Sequence, residues 1–251
     1  MRIIRFRSGA EPAAYGAVVD ESVHLLEGSV FDGPEVEARV AALDEVELLA
    51  PCQPSKLVCV GLNYRAHIAE MGSETPTQPL IFWKTPNTVV GPGAVVHRPS
   101  VAERFDFEGE LAVVIGRKAR GLTVEASGDY ILGYTCANDV TVRDWQDDGQ
   151  WTRAKSSDEF CPLGPEIVTD LTEPGNRRLQ TRLNGEVRQT TATSDLLFDI
   201  GQLLEFITEW ITLEPGDVVL TGTPGGVGPM ATGDVVEVEI DGIGVLRNQI
   251  R

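Results

Sequence analysis

Histidine is scarce in this chain, with three in 251 residues, and cysteine is little commoner, with four and no CxxC pair. Cys52, Cys59, Cys136 and Cys161 lie scattered, without histidines at zinc-like spacing, which excludes a structural zinc site. They read as small apolar residues buried in a reducing compartment. Long apolar runs are missing too: no stretch approaches the roughly 18 residues a spanning helix needs. The start, Met1-Arg-Ile-Ile-Arg-Phe-Arg-Ser8, has neither the apolar run nor the cleavage site of a signal peptide, so the expected location is cytoplasmic. Basic residues are few, 21 against 38 acidic, for a net charge of −17. That balance repels phosphate backbones and anionic lipid, which excludes nucleic-acid and membrane-surface partners and favours a cationic one such as a divalent metal. What remains is ordinary globular composition, 42% apolar and 24% charged. A chain of this length buries roughly 70–75% of its unfolded surface, enough for a core without covalent staples.

Residues 1–52 read as a small N-terminal α+β domain, and 53–251 as the larger, catalytic one. In the first, short apolar runs at Ile3–Phe6 and Gly16–Val19 predict strands, and Glu35–Leu49 carries apolar residues at helix-like intervals. Pro51 and Pro54 punctuate the boundary. Beyond it the texture is mostly β. Leu57–Val60, Leu80–Trp83, Ala94–His97, Phe107–Ile115 and Ile131–Ala137 suit strands, and Asn63–Met71 suits a helical turn or two stopped by Gly72. Residues 72–79 are turn-rich and aperiodic, as a mobile loop would be. Asn184-Gly185 and Asp241-Gly242 sit between strand-like runs and suit type I′ hairpin turns. Ser194–Ile211 is the longest helical pattern, with Ser194 as its N-cap and Pro215 beyond its end. Many short strands with few helices and no regular strand–helix alternation give a mixed, β-rich α+β roll or sandwich.

Three segments carry acids and bases in patterns with chemical meaning. In Phe105-Asp106-Phe107-Glu108-Gly109-Glu110, a strand's period of two puts the three carboxylates on one face. Such a cluster ahead of an apolar strand repels itself, a penalty that a hard divalent cation reverses; a solvated acidic edge is the alternative. Asp139, after an apolar run, either completes a carboxylate set or caps a helix. His67 and Glu70 are spaced i and i+3, so on a helix they share a face, as a water-activating pair or as a plain surface pair. Lys155 is either an oxyanion-stabilising lysine or an exposed structural one. Thr221-Gly-Thr223-Pro-Gly-Gly-Val-Gly228 exposes backbone N–H groups and hydroxyls suited to a carboxylate, although glycine-rich turns are common and this is no P-loop.

Over residues 55–251 the chain resembles the fumarylacetoacetate hydrolase family. The resemblance rests on five ordered motifs. They are Gly61-Leu-Asn63-Tyr-Arg-Ala-His67-Ile-Ala-Glu70, Asp106-Phe-Glu108-Gly-Glu110 through Gly116, and Asn138-Asp139-Val-Thr-Val-Arg143-Asp-Trp-Gln146. Lys155-Ser-Ser-Asp158 to Pro165 and Leu213-Glu-Pro-Gly-Asp217 through Pro224 complete the set. The resemblance implies a mixed β-roll, a homodimer, and a Mg²⁺ or Mn²⁺ ion on Glu108, Glu110 and Asp139. It implies that His67 and Glu70 form the water-activating dyad on a lid, and that Lys155 stabilises an enolate. It places Arg143, Gln146 and Thr223 at the 2-oxo acid end of the substrate, and leaves Asp106 outside the ligand set.

Fold and motifs do not select the reaction. The filled dyad favours a metal-dependent hydrolase that cleaves a C–C bond in a 2,4-dioxo acid. The alternatives are an oxaloacetate-type decarboxylase and an enol–keto isomerase, which pass through the same enolate. A non-catalytic binding protein is disfavoured because every expected position is filled.

Overall fold

The structure, a computed structural model, describes residues 1–72 and 74–251; the side chains of Glu70 and Met71 and all of Ser73 lie outside the described residues. The N-terminal strands are β1 (Arg2–Arg7), β2 (Ala14–Val19), β3 (Ser22–Glu27), β4 (Glu35–Ala42) and β5 (Glu47–Leu49). Next come β6 (Leu57–Gly61), helix α1 (Arg65–Met71), β7 (Leu80–Lys84), β8 (Val89–Val90), β9 (Val95–Val96), β10 (Phe105–Phe107), β11 (Gly109–Ile115), β12 (Ile131–Asn138) and β13 (Thr141–Val142). Helices α2 (Arg143–Asp147) and α3 (Trp151–Lys155) precede β14 (Cys161–Val168), β15 (Arg178–Leu183) and β16 (Glu186–Ala192). Helix α4 (Ile200–Trp210), β17 (Val218–Leu220), β18 (Gly228–Pro229), β19 (Val235–Ile240) and β20 (Gly244–Ile250) complete the chain.

A mixed 12-stranded sheet runs in the order β4-β3-β2-β1-β14-β12-β11-β17-β6-β7, with β5 on β1 and β8 on β14. A five-stranded sheet, β16-β15-β19-β20-β9, and a three-stranded one, β13-β10-β18, accompany it. Strand β11 is buried along its whole length because both its faces are covered. Leu111, Val113 and Ile115 meet Leu179, Val238 and Ile240 of the five-stranded sheet and Leu203, Leu204 and Ile207 of α4. Ala112 and Val114 pack on the opposite side with Leu57, Cys59, Leu163 and Leu220. A doubly covered strand reads as an unbroken apolar run, which is what Leu111–Ile115 is.

The mixed β-rich class is the one observed, but several local expectations are corrected. Residues Glu35–Leu49 form no α-helix; Glu35–Ala42 is a strand on β3, followed by a 3₁₀ turn at Leu43–Glu45 and then β5. The N-terminal strands also join the main sheet, since β1 pairs antiparallel with β14 through Arg2↔Val168 and Ile3↔Ile167. The long helix starts at Ile200 rather than near Ser194: Asp199 caps it, accepting from Gln202 N at 2.9 Å, while the Gln202 side chain accepts from Asp199 N in return. The Asn184-Gly185 turn has both residues at positive φ, 54° and 81°, as type I′ requires. In Asp241-Gly242 only the glycine does, φ 87°, so that turn is not type I′.

Candidate active site

Chain direction changes at Glu108. Phe105–Phe107 pairs with β13 and β18 in the small sheet, whereas Gly109 starts β11 in the large one. The expected single strand over Phe107–Ile115 is therefore two strands with a corner at Glu108. Across the corner, Asp139 N donates to Glu108 O at 2.8 Å, and Glu108 N donates to Asn138 Oδ1 at 2.9 Å. This brings the end of β12 against the start of β11. Glu108, Glu110 and Asp139 consequently offer one carboxylate oxygen each, all within 4.8 Å of one another.

These carboxylates are 6%, 1% and 0% exposed, so each needs compensation for lost water. Glu108 has two cations, Lys155 Nζ at 2.7 Å and Arg143 Nη2 at 2.5 Å. Burial works to raise its pKa, but these two charges outweigh burial and bring it down to about 2. Asp139 also has two, Lys155 Nζ at 2.8 Å and Lys84 Nζ at 2.6 Å. Glu110 is held by a backbone donor, Gly222 N at 2.6 Å. Burial, and then the charges of Asp139 and Glu108, push its pKa well above the usual carboxylate range, against the opposing pull of Lys155 and Gly222. Gly222 can approach because it lacks a side chain: its φ is +101°, and a Cβ there would stand 2.9 Å from Asn63 Cβ.

The ammonium of Lys155 is buried, which alone would lower its pKa, but Asp139 and Glu108 more than compensate and raise it. Lys155 is 2% exposed, so the exposed structural lysine is excluded. Asp106 pairs with Arg104 (2.9 Å) and with Arg143 (3.2 Å), the arginine that also holds Glu108.

A cavity of about 290 Å³ opens onto the carboxylates. His67, Glu108, Glu110, Asp139, Arg143, Gln146, Lys155 and Thr223 all line it, although they come from motifs spread over the chain. The side chain of Glu70 falls outside the described residues, and the expected loop at 72–79 includes Ser73, which does too. Helix α1, which carries His67, is anchored from a distant segment: Ala66 N donates to Asp195 Oδ2 at 3.2 Å and Arg65 Nη1 to Leu196 O at 2.6 Å. Gly72 ends it in the left-handed conformation, as expected. Gln146 accepts from Arg143 Nη1 at 2.6 Å, and the Thr223 hydroxyl donates to Gly109 O at 3.0 Å.

Sequence reasoning missed three parts of the site. Lys84, 1% exposed, holds Asp139 from 55 residues away. Val60, Leu62, Leu80, Phe82 and Trp151 form an apolar wall, with Phe82 and Trp151 edge-to-face at 5.4 Å. Gln189 reaches in from the five-stranded sheet to Gly109 and Thr223. The available signal for Lys84 was its place at the end of an apolar strand, where it shares a face with Phe82.

No helix among the described residues is long and apolar enough to cross a membrane. The model of the fumarylacetoacetate (FAA) hydrolase C-terminal family matches residues 56–251, and the Rv2993c-like N-terminal model matches 1–51. Oxaloacetate tautomerase YisK of Bacillus subtilis (strain 168) is 43% identical over 241 residues, 90% of this chain and 80% of that protein. The crystal structure of 5-carboxymethyl-2-hydroxymuconate delta-isomerase from Mycobacterium smegmatis is 43% identical, with a TM-score of 0.93 over 100% of this chain and 99% of that one. Maleylpyruvate hydrolase from Sphingobium sp. SYK-6, in complex with manganese(II) ion and pyruvate, is 28% identical, with a TM-score of 0.84 over 100% and 98% of the two chains.

Proposed function

The chain belongs to the fumarylacetoacetate hydrolase family, and from that membership and the geometry of its site we propose that it interconverts the enol and keto forms of a small 2-oxo acid of the oxaloacetate type, with a divalent metal. The observation that carries this is the buried Glu110 carboxylate, which converges with those of Glu108 and Asp139 to within 4.8 Å and accepts from Gly222 N. An all-oxygen donor set with surplus negative charge fits a hard cation, and Glu108, Glu110 and Asp139 would hold Mg²⁺ or Mn²⁺. When bound, the metal supplies Lewis-acid stabilisation of charge developing on the 2-oxo oxygen.

The chain's own residues do the rest. Tautomerisation removes a proton from the enol oxygen and adds one at C3; no bond between heavy atoms breaks. Lys155, held protonated by Glu108 and Asp139, donates a hydrogen bond to the oxyanion. Arg143 and Gln146, on one turn of α2, offer donors to the substrate's C1 carboxylate. His67 faces the same cavity from α1 and moves the proton at C3. The apolar wall keeps bulk water from the enolate.

Hydrolysis, the first expectation from the sequence, stands second. It needs in addition a positioned water, and two solved relatives named hydrolases are 37% and 28% identical, against 43% for the YisK tautomerase and the Mycobacterium smegmatis isomerase. The test is turnover by Mn²⁺-loaded and EDTA-stripped protein of enol-oxaloacetate, a 2-hydroxymuconate-type enol acid and an acylpyruvate. Metal-dependent enol–keto interconversion is expected. Cleavage of the acylpyruvate without interconversion of either enol would overturn the proposal in favour of hydrolysis.

A further inference from the structure

Strand β16 is an exposed edge strand with one buried position, and that position is Gln189, 1% exposed. Packing alone would favour an aliphatic residue there, because a buried amide costs free energy unless its hydrogen bonds are made. They are made, and every one goes to the strand and loop of the candidate metal site. Gln189 Oε1 accepts from Gly109 N at 3.0 Å, and Nε2 donates to Thr223 Oγ1 at 2.8 Å and to Pro224 O at 2.8 Å. The amide's orientation follows from its partners, since Gly109 N–H only donates and Pro224 O only accepts. Thr223 Oγ1 then donates to Gly109 O at 3.0 Å, which closes a ring from Gly109 through Gln189 and Thr223 back to Gly109.

Gly109 lies between Glu108 and Glu110. Of all residues glycine has the most backbone freedom, and freedom there would let the two carboxylates drift apart. A side chain at this position is barred: its Cβ would overlap Thr181 Oγ1, and Thr181 is the cross-strand partner of Gln189. The site thus requires glycine for close approach and then must restrain it. We infer that Gln189 is a positioning residue, which with Thr223 locks both backbone groups of Gly109 and thereby fixes the spacing of the Glu108 and Glu110 carboxylates. The inference rests on reading those glutamates as metal ligands. It also assigns Thr223 a second duty: its proton is committed to Gly109 O, so toward a substrate it presents an acceptor.

The test compares Gln189→Leu, Gln189→Glu and, as a control for general loss of packing, Thr208→Val. Thr208, on α4 and outside the cavity, carries a buried hydroxyl that accepts from Leu122 N. Mn²⁺ affinity is measured by calorimetry without substrate, alongside hydrogen exchange of peptides spanning 108–111. Partners that orient metal ligands typically contribute 10–100-fold in affinity. Gln189→Leu is expected to raise the Mn²⁺ Kd at least tenfold and to speed exchange at 108–111. Gln189→Glu, which keeps an acceptor for Gly109 N–H, is expected to fall between Leu and the wild type. Thr208→Val is expected to change neither quantity, whatever its effect on Tm. An unchanged Kd and unchanged exchange in Gln189→Leu would overturn the inference, and so would equal effects from Thr208→Val. Should Gln189→Leu fail to fold, a wild-type Kd in Gln189→Glu would do the same. If the wild type binds no Mn²⁺, the metal reading fails by itself and the exchange comparison alone decides the role of Gln189. Absence of turnover on any 2-oxo acid would count against the proposed function while leaving both readouts intact.

Discussion

Replacing Glu110 by glutamine should leave the metal-free protein no less stable, although it removes a charge from the centre of the site. With two further carboxylate oxygens within 4.8 Å, each neighbour repels an ionised Glu110 by roughly 3–4 kcal/mol at an effective dielectric of about 20. Lys155 offsets part of this, and the raised pKa shows that the offset is incomplete. Glutamine keeps the shape and the acceptor for Gly222 N and discards the repulsion. In EDTA at pH 8, denaturant unfolding of Glu110→Gln should match or exceed the wild type by up to about 3 kcal/mol. In Mn²⁺ at about 1,000 times the wild-type Kd the order should reverse, because the wild type gains about 4.1 kcal/mol by mass action and the variant gains little. A loss above about 2 kcal/mol for Glu110→Gln in EDTA would refute the reasoning, since it would mean that the carboxylate is favourably paired in the metal-free protein.

The other expectations concern neighbouring groups. Lys155→Met breaks a buried ion triad with Glu108 and Asp139 and should cost about 3–5 kcal/mol in EDTA, read by denaturant unfolding; an unchanged midpoint would show that Lys84 and Arg143 suffice. His67→Ala should lower enol–keto interconversion about 10²–10⁴-fold with Mn²⁺ affinity retained; equal rates would remove His67 from the proton transfer. Glu108, whose pKa lies below its unfolded value, contributes stability above about pH 4.5 that is lost as pH falls toward 2. Glu110 has the opposite sign: without metal its contribution is present at low pH and declines as pH rises through its elevated pKa. A pH series of unfolding midpoints in EDTA should therefore fall below about pH 4.5 through Glu108 and fall again as pH rises above about 4.5 through Glu110, and no decline anywhere above that point would contradict the Glu110 shift. Asp199→Ala removes the cap of α4 and should cost about 1 kcal/mol without altering metal affinity, checked by the same unfolding assay and calorimetry.

The parts legible from sequence were those fixed by local periodicity. The apolar run after Glu110 marked a doubly covered strand and Asn184-Gly185 announced its turn, whereas Glu108 and Glu110 converge through the corner at Glu108 and not through the alternation of one strand. What escaped depended on contacts far apart in the chain. Glu35–Ala42 is built of Glu, Val, Ala and Arg, which tolerate a helix, yet pairing with β3 makes it a strand. Ser194 and Asp199 are equally good caps in isolation; the 193–198 stretch is held out of the helix partly by Asn63, whose amide bonds the backbone of Phe198. Lys84 and Gln189 carry no local mark of function, since their partners lie across the fold.

The central claim is that a metal centre on Glu108, Glu110 and Asp139 interconverts enol and keto forms of an oxaloacetate-type acid through proton transfer at C3. It is tested most directly by NMR of oxaloacetate in D₂O, following deuterium entry at C3 above the uncatalysed rate. With Mn²⁺-loaded wild type, C3 exchange should be accelerated without C–C cleavage, and should return to background after EDTA and in Glu108→Gln. Background exchange by the loaded enzyme, or exchange that persists after the metal is stripped, would contradict the account.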